Sequence, residues 1–413
     1  LDANTTANHN SAFGYAALSA NTTATQNTAI GSQAMLNTTT GGNNTAVGMN
    51  CLLSNTTGTQ ITAVGANTLD ANTTASNVTA VGYEALTDNT TGASNAAFGS
   101  FSLENNTTGG TNTACGHNAL AGNTTASNNT AVGAGALEAN TTGDLNVAVG
   151  KGALEANTTG NRNVAIGYEA LDENTVGDRN VAIGLAALGS FNPASNADTY
   201  NVAIGYDAGF GMTTGTHNIC IGGFAGDSIL DGSGNTVIGY LADANLTGGV
   251  NQIVIGNQGS GNGNNTATFA AGSTETFIGL GNTSWIGSSD ERLKENITSS
   301  TAGLSFVNDL RPVTFNWKKR KDIPSELSGY EKDSEERYNL TDTTKHGFIA
   351  QEVKTVLDNH SEVKDGQEFW TTKPDGTQSL AVGALMPMAI KAIQELSTQV
   401  DELKAEIKTL KGE

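Results

Sequence analysis

A motif of 17 residues repeats along most of the chain, and this period restricts the possible folds more than any other feature. The motif Asn-Thr-Thr-Gly-x-x-Asn-Val-Ala-Val-Gly-x-x-Ala-Leu-x-x begins at Asn140 and returns at Asn157 and Asn174. The same register extends back to Asn4 and, after one insertion and one deletion, forward to Gly256. A fixed period of this length is typical of a solenoid, in which each repeat forms one coil.

Each repeat contains a short β-branched segment, a glycine, an Ala-Leu segment and an Asn-Thr-Thr turn. Glycine adopts the positive φ values of tight turns, and asparagine tolerates them while bonding its own backbone. Identical residues of successive coils stack, so we expect Asn and Thr ladders outside and a Val/Ile/Leu/Ala column inside. The sequence therefore predicts a mainly β protein built on a parallel β-solenoid. Its glycine and β-branched content disfavours helical repeats.

The predicted coil is thin, because Ala and one Leu supply most of its bulk. We therefore expect the remaining apolar surface to pack against other copies, and an intertwined trimer is the natural closed arrangement. A monomeric solenoid is the alternative. At ~4.8 Å per coil, fifteen coils predict a rigid shaft of roughly 70 Å.

Charge divides the chain into two parts. Of the 20 Lys and Arg residues, only Lys151, Arg162 and Arg179 precede Ser289. The part before Ser289 therefore carries about −15 and the remainder about −5 of the formal −20. Phosphate binding needs clustered Lys and Arg, so this acidic composition argues against nucleic acid as a partner. The acidity is more simply explained by solubility.

The three cysteines predict neither a disulfide framework nor a metal site. Cys51, Cys115 and Cys220 lie in different repeats and at different repeat positions, where they replace small apolar residues. No apolar stretch approaches the length of a membrane span, so no membrane insertion is expected, and no cofactor is predicted. The first residue is Leu1 instead of an initiator Met, which leaves open that the sequence is part of a longer chain.

The C-terminal part is a mixed α and β segment that ends in a helix. A strand is predicted at Val313–Trp317 and a helix at Ile349–Leu357. The final helix carries apolar residues at alternating steps of three and four, which predicts a self-associating coiled coil. An amphipathic helix on a monomeric core is the alternative. The seam comprises Met386, Ala389, Ile393, Leu396, Val400, Leu403, Ile407 and Leu410.

Two further features of this part have ordinary structural explanations. The basic run 318–321 could bind an acidic partner, but a solvated hairpin tip is the favoured interpretation. Trp317 and Trp370 are expected to be core residues and not ligand platforms.

A short stretch between the two parts carries the residues most suited to chemistry. Ser289 and Lys294 lie five residues apart, within reach of each other across a turn. A serine hydroxyl becomes a nucleophile when a nearby base takes its proton, and lysine serves as that base in serine–lysine dyads. From the spacing alone, a solvated loop is the favoured interpretation, because a serine and a lysine five residues apart occur in most proteins.

Four motifs that follow one another along the sequence, beginning with this stretch, give a more specific signal than the spacing of the serine and the lysine. Together they resemble the self-cleaving intramolecular chaperone domain of phage tail fibres and tail spikes, over roughly the last 125 residues. The repeats resemble the coils of trimeric bacterial adhesin heads and of phage fibre shafts. The four motifs are Ser289-Asp290-x-Arg292-Leu293-Lys294-x-x-Ile297, Leu310-Arg311-Pro312-Val313-Thr314-Phe315-Asn316-Trp317, Gly347-Phe348-Ile349-Ala350-Gln351-Glu352-Val353, and Leu385-Met386-Pro387 with Ala392-Ile393-Gln394-Glu395-Leu396.

The resemblance implies a single-turnover serine–lysine autoprotease. Ser289 would be the nucleophile, Lys294 its general base, and Ser288–Ser289 the bond that is cut. The shaft would have no enzyme activity. The implied segments are a β-solenoid shaft at 1–256, a cap or tip of the mature shaft at 257–288, the chaperone at 289–383 and its coiled-coil helix at 384–413.

We therefore expect a phage tail fibre or spike protein for host attachment, made in the host cytoplasm and carried on the virion. Its expected partners are two other copies, further tail proteins at the N-terminal end, and a host receptor, either glycan or protein. Aromatic residues that could contact the receptor gather where the period breaks. They are Phe191, Tyr200, Tyr206 and Phe210, and in the cap Phe269, Phe277 and Trp285. A structural role is the favoured explanation for them, and the cap is the preferred site if they do bind a receptor.

Two alternatives remain. A bacterial trimeric adhesin without cleavage would need a C-terminal membrane-anchoring strand set, whereas this chain ends in a soluble coiled coil. A polysaccharide-degrading spike would need two carboxylates facing one groove, whereas the acids of the repeats are singly dispersed.

Overall fold

A computed structural model of the chain divides into two compact units, Leu1–Ser289 and Asp290–Glu413. The residues it describes are 2–195, 198–245, 247–271, 274–279, 286–287, 297–325, 327, 330–338, 343–363, 370–372 and 377–411. The segment boundaries expected at 256, 288 and 383 remain predictions.

The first unit is a parallel β-solenoid of about 15 coils, as the period predicts. Neighbouring strands pair in register one repeat apart, for example Val147 with Val164. Its strands are β1 (Ser11–Phe13), β2 (Thr28–Ile30), β3 (Thr45–Val47), β4 (Thr62–Val64), β5 (Thr79–Val81), β6 (Ala96–Phe98), β7 (Thr113–Cys115), β8 (Thr130–Val132), β9 (Val147–Val149), β10 (Val164–Ile166), β11 (Val181–Ile183), β12 (Val202–Ile204), β13 (Ile219–Ile221), β14 (Thr236–Ile238) and β15 (Ile253–Asn257).

Three further strands follow the last regular coil. They are β16 (Thr266–Ala271), β17 (Thr274–Gly279) and β18 (Ile286–Gly287). The first of them extends the parallel ladder, and the other two add antiparallel pairings. This change of direction breaks the 17-residue repeat within the expected cap.

The residues enclosed in each coil differ in part from those that the sequence predicts. In β9 the middle residue, Ala148, is fully buried, whereas Val147 and Val149 lie partly exposed on the opposite face. The predicted inner column is therefore correct for Ala and Leu, whereas the Val and Ile residues at the first and third strand positions lie outside it. Side chains alternate along a strand, and a coil this narrow encloses a small side chain at the middle position. That side chain is alanine up to β12, followed by Cys220, Val237 and Val254 in β13 to β15.

The Asn ladders, which were expected outside, are also buried. Asn140 Nδ2 donates hydrogen bonds to Asn123 Oδ1 (3.0 Å) and to the carbonyl of Gly143 (3.1 Å). In a second column, Asn146 donates from its backbone N–H to Asn129 Oδ1 at 2.8 Å. The expectation fails because the turns direct backbone groups inward, and buried backbone groups need partners. The amides supply those partners.

A glycine ends the strand of nearly every coil, because no side chain fits there. Gly133 has a φ of +138°, and a Cβ on it would lie 2.3 Å from the carbonyl oxygen of Gly150 in the next coil. Leu137 also has a positive φ, +53°, and is fully buried. The packing of this leucine in the core offsets a conformation that leucine rarely adopts.

The second unit is a small α+β region that ends in a long helix, as predicted. Its core contains Phe306, Val353, Leu357 and Leu385. Its elements are α1 (Leu304–Asp309), β19 (Val313–Phe315), β20 (Lys345–Gly347), α2 (Ala350–Asn359), β21 (Trp370–Thr372), β22 (Gln378–Leu380) and α3 (Met386–Lys411), with 3₁₀ turns at Arg320–Asp322 and Val382–Leu385.

The described residues contain neither a candidate membrane span nor a candidate metal site. Among them no helix has both the length and the apolarity that crossing a bilayer requires. Within the same residues, no group of His, Cys, Asp and Glu side chains is arranged to hold a metal ion.

Candidate functional site

The predicted dyad lies outside the described residues. Ser288, Ser289 and Lys294 all belong to the stretch 288–296, so their roles remain predictions that rest on the sequence motif. The C-terminal unit is described from residue 297 onward, apart from the gaps given above.

Helix α1 is the first described helix of the C-terminal unit, and a side chain of α3 caps its N-terminus. The backbone N–H of Leu304 donates to Glu395 Oε2 at 2.7 Å. This hydrogen bond lowers the pKa of the Glu395 carboxyl, because it favours the charged form. A carboxylate at a helix N-terminus accepts a hydrogen bond from an N–H group that has no partner within the helix. Its negative charge also interacts favourably with the positive end of the helix dipole. Ala392, one turn earlier in α3, is buried.

A histidine joins the C-terminal ends of α1 and α2. His360 Nε2 lies 2.8 Å from Asp309 Oδ2, and Nδ1 lies 2.8 Å from Glu362 Oε1. Both ring nitrogens face carboxylates and can donate together only as the imidazolium ion. The hydrogen bond to Asp309, followed by that to Glu362, raises the pKa of His360. Phe306 packs edge-on against the ring at 5.4 Å.

A second ionic link joins the same region. Arg311 donates to both carboxylate oxygens of Glu352, with Nε lying 2.9 Å from Oε2. The guanidinium holds the pKa of the Glu352 carboxyl below its usual value. Arg311 belongs to the second and Glu352 to the third of the motifs quoted above. A bidentate ion pair between arginine and carboxylate therefore links these two motifs.

The basic run 318–321 is largely neutralised by nearby acids. Lys319 and Lys321 both contact Glu335, and Arg320 Nη1 lies 3.0 Å from Glu331 Oε1. These pairs favour the solvated hairpin tip over a binding patch.

The two tryptophans of this unit make ordinary packing contacts. The ring of Trp317 packs between Phe315 and Tyr338, with centroid distances of 5.3 and 5.4 Å. Trp370 packs against the apolar cluster and donates from Nε1 to Gln378 Oε1 at 3.3 Å. Both contacts support structural roles for these side chains.

Helix α3 presents two different faces. One face holds Ala392 and Glu395 against the small domain. The other carries the heptad residues, which stay exposed; Ile393 is 66% and Leu403 56% exposed. The exposed part of the seam comprises Met386, Ile393, Leu396, Val400, Leu403, Ile407 and Leu410.

The aromatic residues expected at the surface of the solenoid separate into two classes. Phe191 was expected as a receptor contact, but this is wrong because its side chain fills the core and is fully buried. Tyr200, Tyr206 and Phe210 are exposed as expected. In the cap, Phe269 is exposed, whereas the side chain of Phe277 and all of Trp285 lie outside the described residues.

Sequence reasoning missed an aromatic stack on three neighbouring coils. The ring of Phe224 lies 5.0 Å from that of Tyr206 and 6.3 Å from that of Tyr240. A similar stack joins Tyr83 to Phe101. The signal was present, since Tyr206 and Tyr240 both follow the strand glycine, two repeats apart.

Comparison with known proteins assigns the start of the C-terminal unit. None of the curated proteins compared with the chain matches it. Residues 289–362 match the family model described as the chaperone of endosialidase. That range begins at the predicted nucleophile and ends at Glu362, so it includes α1, α2 and the His360 contacts. Residues 289–362 are therefore similar to this chaperone family, and a β-solenoid preceding them fits a tail fibre or tail spike with a C-terminal intramolecular chaperone.

Proposed function

We propose that this chain forms the homotrimeric shaft of a phage tail fibre or spike, whose C-terminal chaperone assembles three copies and then removes itself. The observation that carries the proposal is the match of residues 289–362 to the chaperone family, directly after a solenoid. The protein would be made in the host cytoplasm and carried on the virion. Its N-terminal end would join other tail proteins, and its shaft would attach to a host glycan or protein.

The proposed trimer is supported by the two faces of α3. A heptad seam exposed to solvent is unfavourable, and its burial against two further copies would stabilise the assembly. Three parallel solenoids must begin pairing in the same register, since unpaired strands and apolar surface otherwise favour aggregation. A C-terminal coiled coil would bring the three chains together before the coils form.

The proposed cleavage uses Ser289 and Lys294. The neutral Lys294 amine takes the proton from Ser289 Oγ, and Oγ attacks the carbonyl carbon of Ser288. The Ser288–Ser289 peptide bond breaks as an ester forms, and the Ser289 nitrogen leaves as an amine after taking a proton. Water then hydrolyses the ester and releases the Ser288 carboxylate and the Ser289 hydroxyl. The separated shaft could no longer unfold by reversing its assisted assembly, which would make it kinetically stable.

Mass spectrometry of the purified full chain tests the proposal directly. We expect fragments of roughly 288 and 125 residues, split before Ser289. S289A and K294A should remain whole and still form trimers in native mass spectrometry, whereas the control S300A should split normally. Normal splitting of S289A would remove the dyad from the proposal, and a monomeric S289A would remove the trimer.

Host attachment needs a separate test. The exposed aromatic rings of the solenoid are the side chains best suited to anchor a receptor. Mature shaft carrying Y206A and Y240A should adsorb less to host cells than wild type, with T142A as the control. Unchanged adsorption by the intact double variant would place receptor contact elsewhere, with the expected cap 257–288 as the next region to test.

A further inference from the structure

One face of the solenoid is uncharged along its whole length. We define the strand face as the first and third residues of each strand from β1 to β15. These residues point outward, because the middle residue points into the coil. Not one of the first or third residues in these fifteen strands is charged. A chain with 18 acids before Ser289 keeps all of them off this face.

The strand face is also apolar and partly open to solvent. The third position holds Val, Ile, Phe or Cys in all of these strands, and the first changes from mostly Thr in the early coils to mostly Val or Ile from β9 onward. Ile166, Ile204 and Ile219 are each between 36% and 38% exposed. A continuous apolar strip of this length is unusual on an isolated soluble protein and typically marks an interaction surface.

The acids lie on a different part of the coil. Glu138, Glu155 and Asp172 come from neighbouring coils and line a common surface depression. Burial, together with repulsion from neighbouring carboxylates, raises the pKa of Asp172 to about 6. Two copies of so acidic a solenoid repel each other, and the repulsion is weakest where they meet through an uncharged face.

We propose that the strand face is the surface through which copies of this chain pack along the shaft. The inference rests on the proposed trimer and specifies which side of each coil faces the other copies. A second copy is the occupant that fits best, because the face repeats at every coil in one register. Parallel copies related by rotation about the shaft axis present the same residue type at the same level.

The chain contains its own probe of this face. Cys115 is the third residue of β7 and is exposed in the single chain, whereas Cys51 and Cys220 are buried. Burial raises the pKa of the Cys51 and Cys220 thiols to about 12, so they stay protonated and unreactive. In the native full chain, a maleimide therefore reports on Cys115.

The matched control is the double variant C115S/T142C, which moves the reactive thiol to an exposed turn residue outside the face. We expect Cys115 of the wild-type trimer to label at least tenfold more slowly than the thiol of the control. Both proteins should label fully once unfolded. Native mass spectrometry of the same samples establishes whether the trimer is present.

The outcomes separate the two proposals. A trimer in which Cys115 labels as fast as the control overturns the strand face as the packing surface and leaves the trimer intact. A monomer overturns both. A charge test gives an independent measurement: I166D should lower the melting temperature of the shaft clearly below that of T142D, because three carboxylates would meet at one level. Equal melting temperatures for I166D and T142D contradict the proposal.

Discussion

The two units of this protein both bury apolar side chains but differ in where they place polar ones. In the solenoid, Asn140 is buried, while Ile166 is exposed. In the C-terminal unit, Phe306 and Leu357 form the core, and the charged side chains pair at the surface. The difference shows that the narrow coil adds hydrogen bonds repeated at every turn to its apolar column, whereas the core of the small domain is an apolar cluster.

Their ionisable groups differ in the same way. In the solenoid, burial raises the pKa of Asp172 and of Asp243 to about 6. In the C-terminal unit, hydrogen bonds from partners lower the pKa values of Glu352 and Glu395. Burial in the solenoid therefore disfavours the charged form of these two carboxylates. In the C-terminal unit, hydrogen bonds stabilise the charged form of Glu352 and Glu395.

The largest loss of stability is expected when a single strand-ending glycine of the solenoid is replaced. G133A places a Cβ at a φ of +138° and 2.3 Å from the next coil's carbonyl oxygen, so we expect a loss of more than ~4 kcal/mol. The control is G135N, since Gly135 has a φ of +69° and the preceding repeat holds Asn118 at this position. Thermal melts followed by circular dichroism compare the two. A harmless G133A would show that the coil can shift apart.

The second prediction concerns the buried amide column. N140A leaves Asn123 Oδ1 without its side-chain donor and removes one of the two side-chain donors to the Gly143 carbonyl. Asn157 Nδ2 also loses one of its two acceptors, so we expect a loss of about 2 kcal/mol. T142A, two residues away and exposed, should change stability by less than ~0.5 kcal/mol. Chemical unfolding of both variants measures the difference. Equal stabilities would mean that the ladder adds little to the free energy of folding.

The third prediction applies to the C-terminal unit and to pH. The folded pKa of His360 is raised, so its stabilising contribution is complete below pH ~6.5 and is lost as pH rises through the folded value. The groups that face the ring are Asp309, Glu362 and Phe306. We expect the stability of this unit to fall above neutral pH.

Fluorescence of Trp317 and Trp370 follows that unit during unfolding. H360Q should flatten the dependence between pH 6 and 9, and H346Q, at an exposed strand position, should leave it unchanged. A dependence that persists in H360Q would assign the titration to another group.

The smallest effect is expected in the solenoid, where the substitution D172N should stabilise the protein while the pH dependence runs in the same direction as for His360. Because the folded pKa of Asp172 is raised, the folded state holds the proton more tightly, and stability increases as pH falls from above ~6 towards ~4. D172N should stabilise the coil by about 1 kcal/mol at pH 8 and by nothing at pH 4, after allowance for solvent screening. E173Q, at the exposed neighbour, is the control. Identical pH profiles for D172N and wild type would contradict this prediction.

The sequence predicted the coil and its spacing but not which residues face inward. The period and the strand glycines were sufficient for the parallel solenoid, because each fixes a backbone feature. The segment Val147-Ala148-Val149 alternates in size, and sequence alone suggests that the larger residues are buried. Only the width of the coil decides that Ala148 points inward, and this width depends on contacts with the neighbouring coils.

The candidate site was only partly predictable. The Ser289 and Lys294 motif identified a chaperone family that residues 289–362 match, while the roles of both residues remain predictions. The Asp309–His360 contact was missed because its members are 51 residues apart and carry no short-range signal. Glu395 had been read only as a flank of the heptad seam, and its contact with Leu304 depends on how α3 packs.

In-register pairing of whole repeats has a consequence for how such a gene can change. Val181 pairs with Val202 although the intervening segment is four residues longer than one repeat, so a coil absorbs an insertion without losing its neighbour. Adding or deleting one complete repeat would likewise preserve every remaining contact. Unequal recombination between near-identical repeats would then lengthen or shorten the protein in steps of one coil, or ~4.8 Å. Shaft length becomes a trait that selection can adjust while the folding machinery at the C-terminal end stays the same.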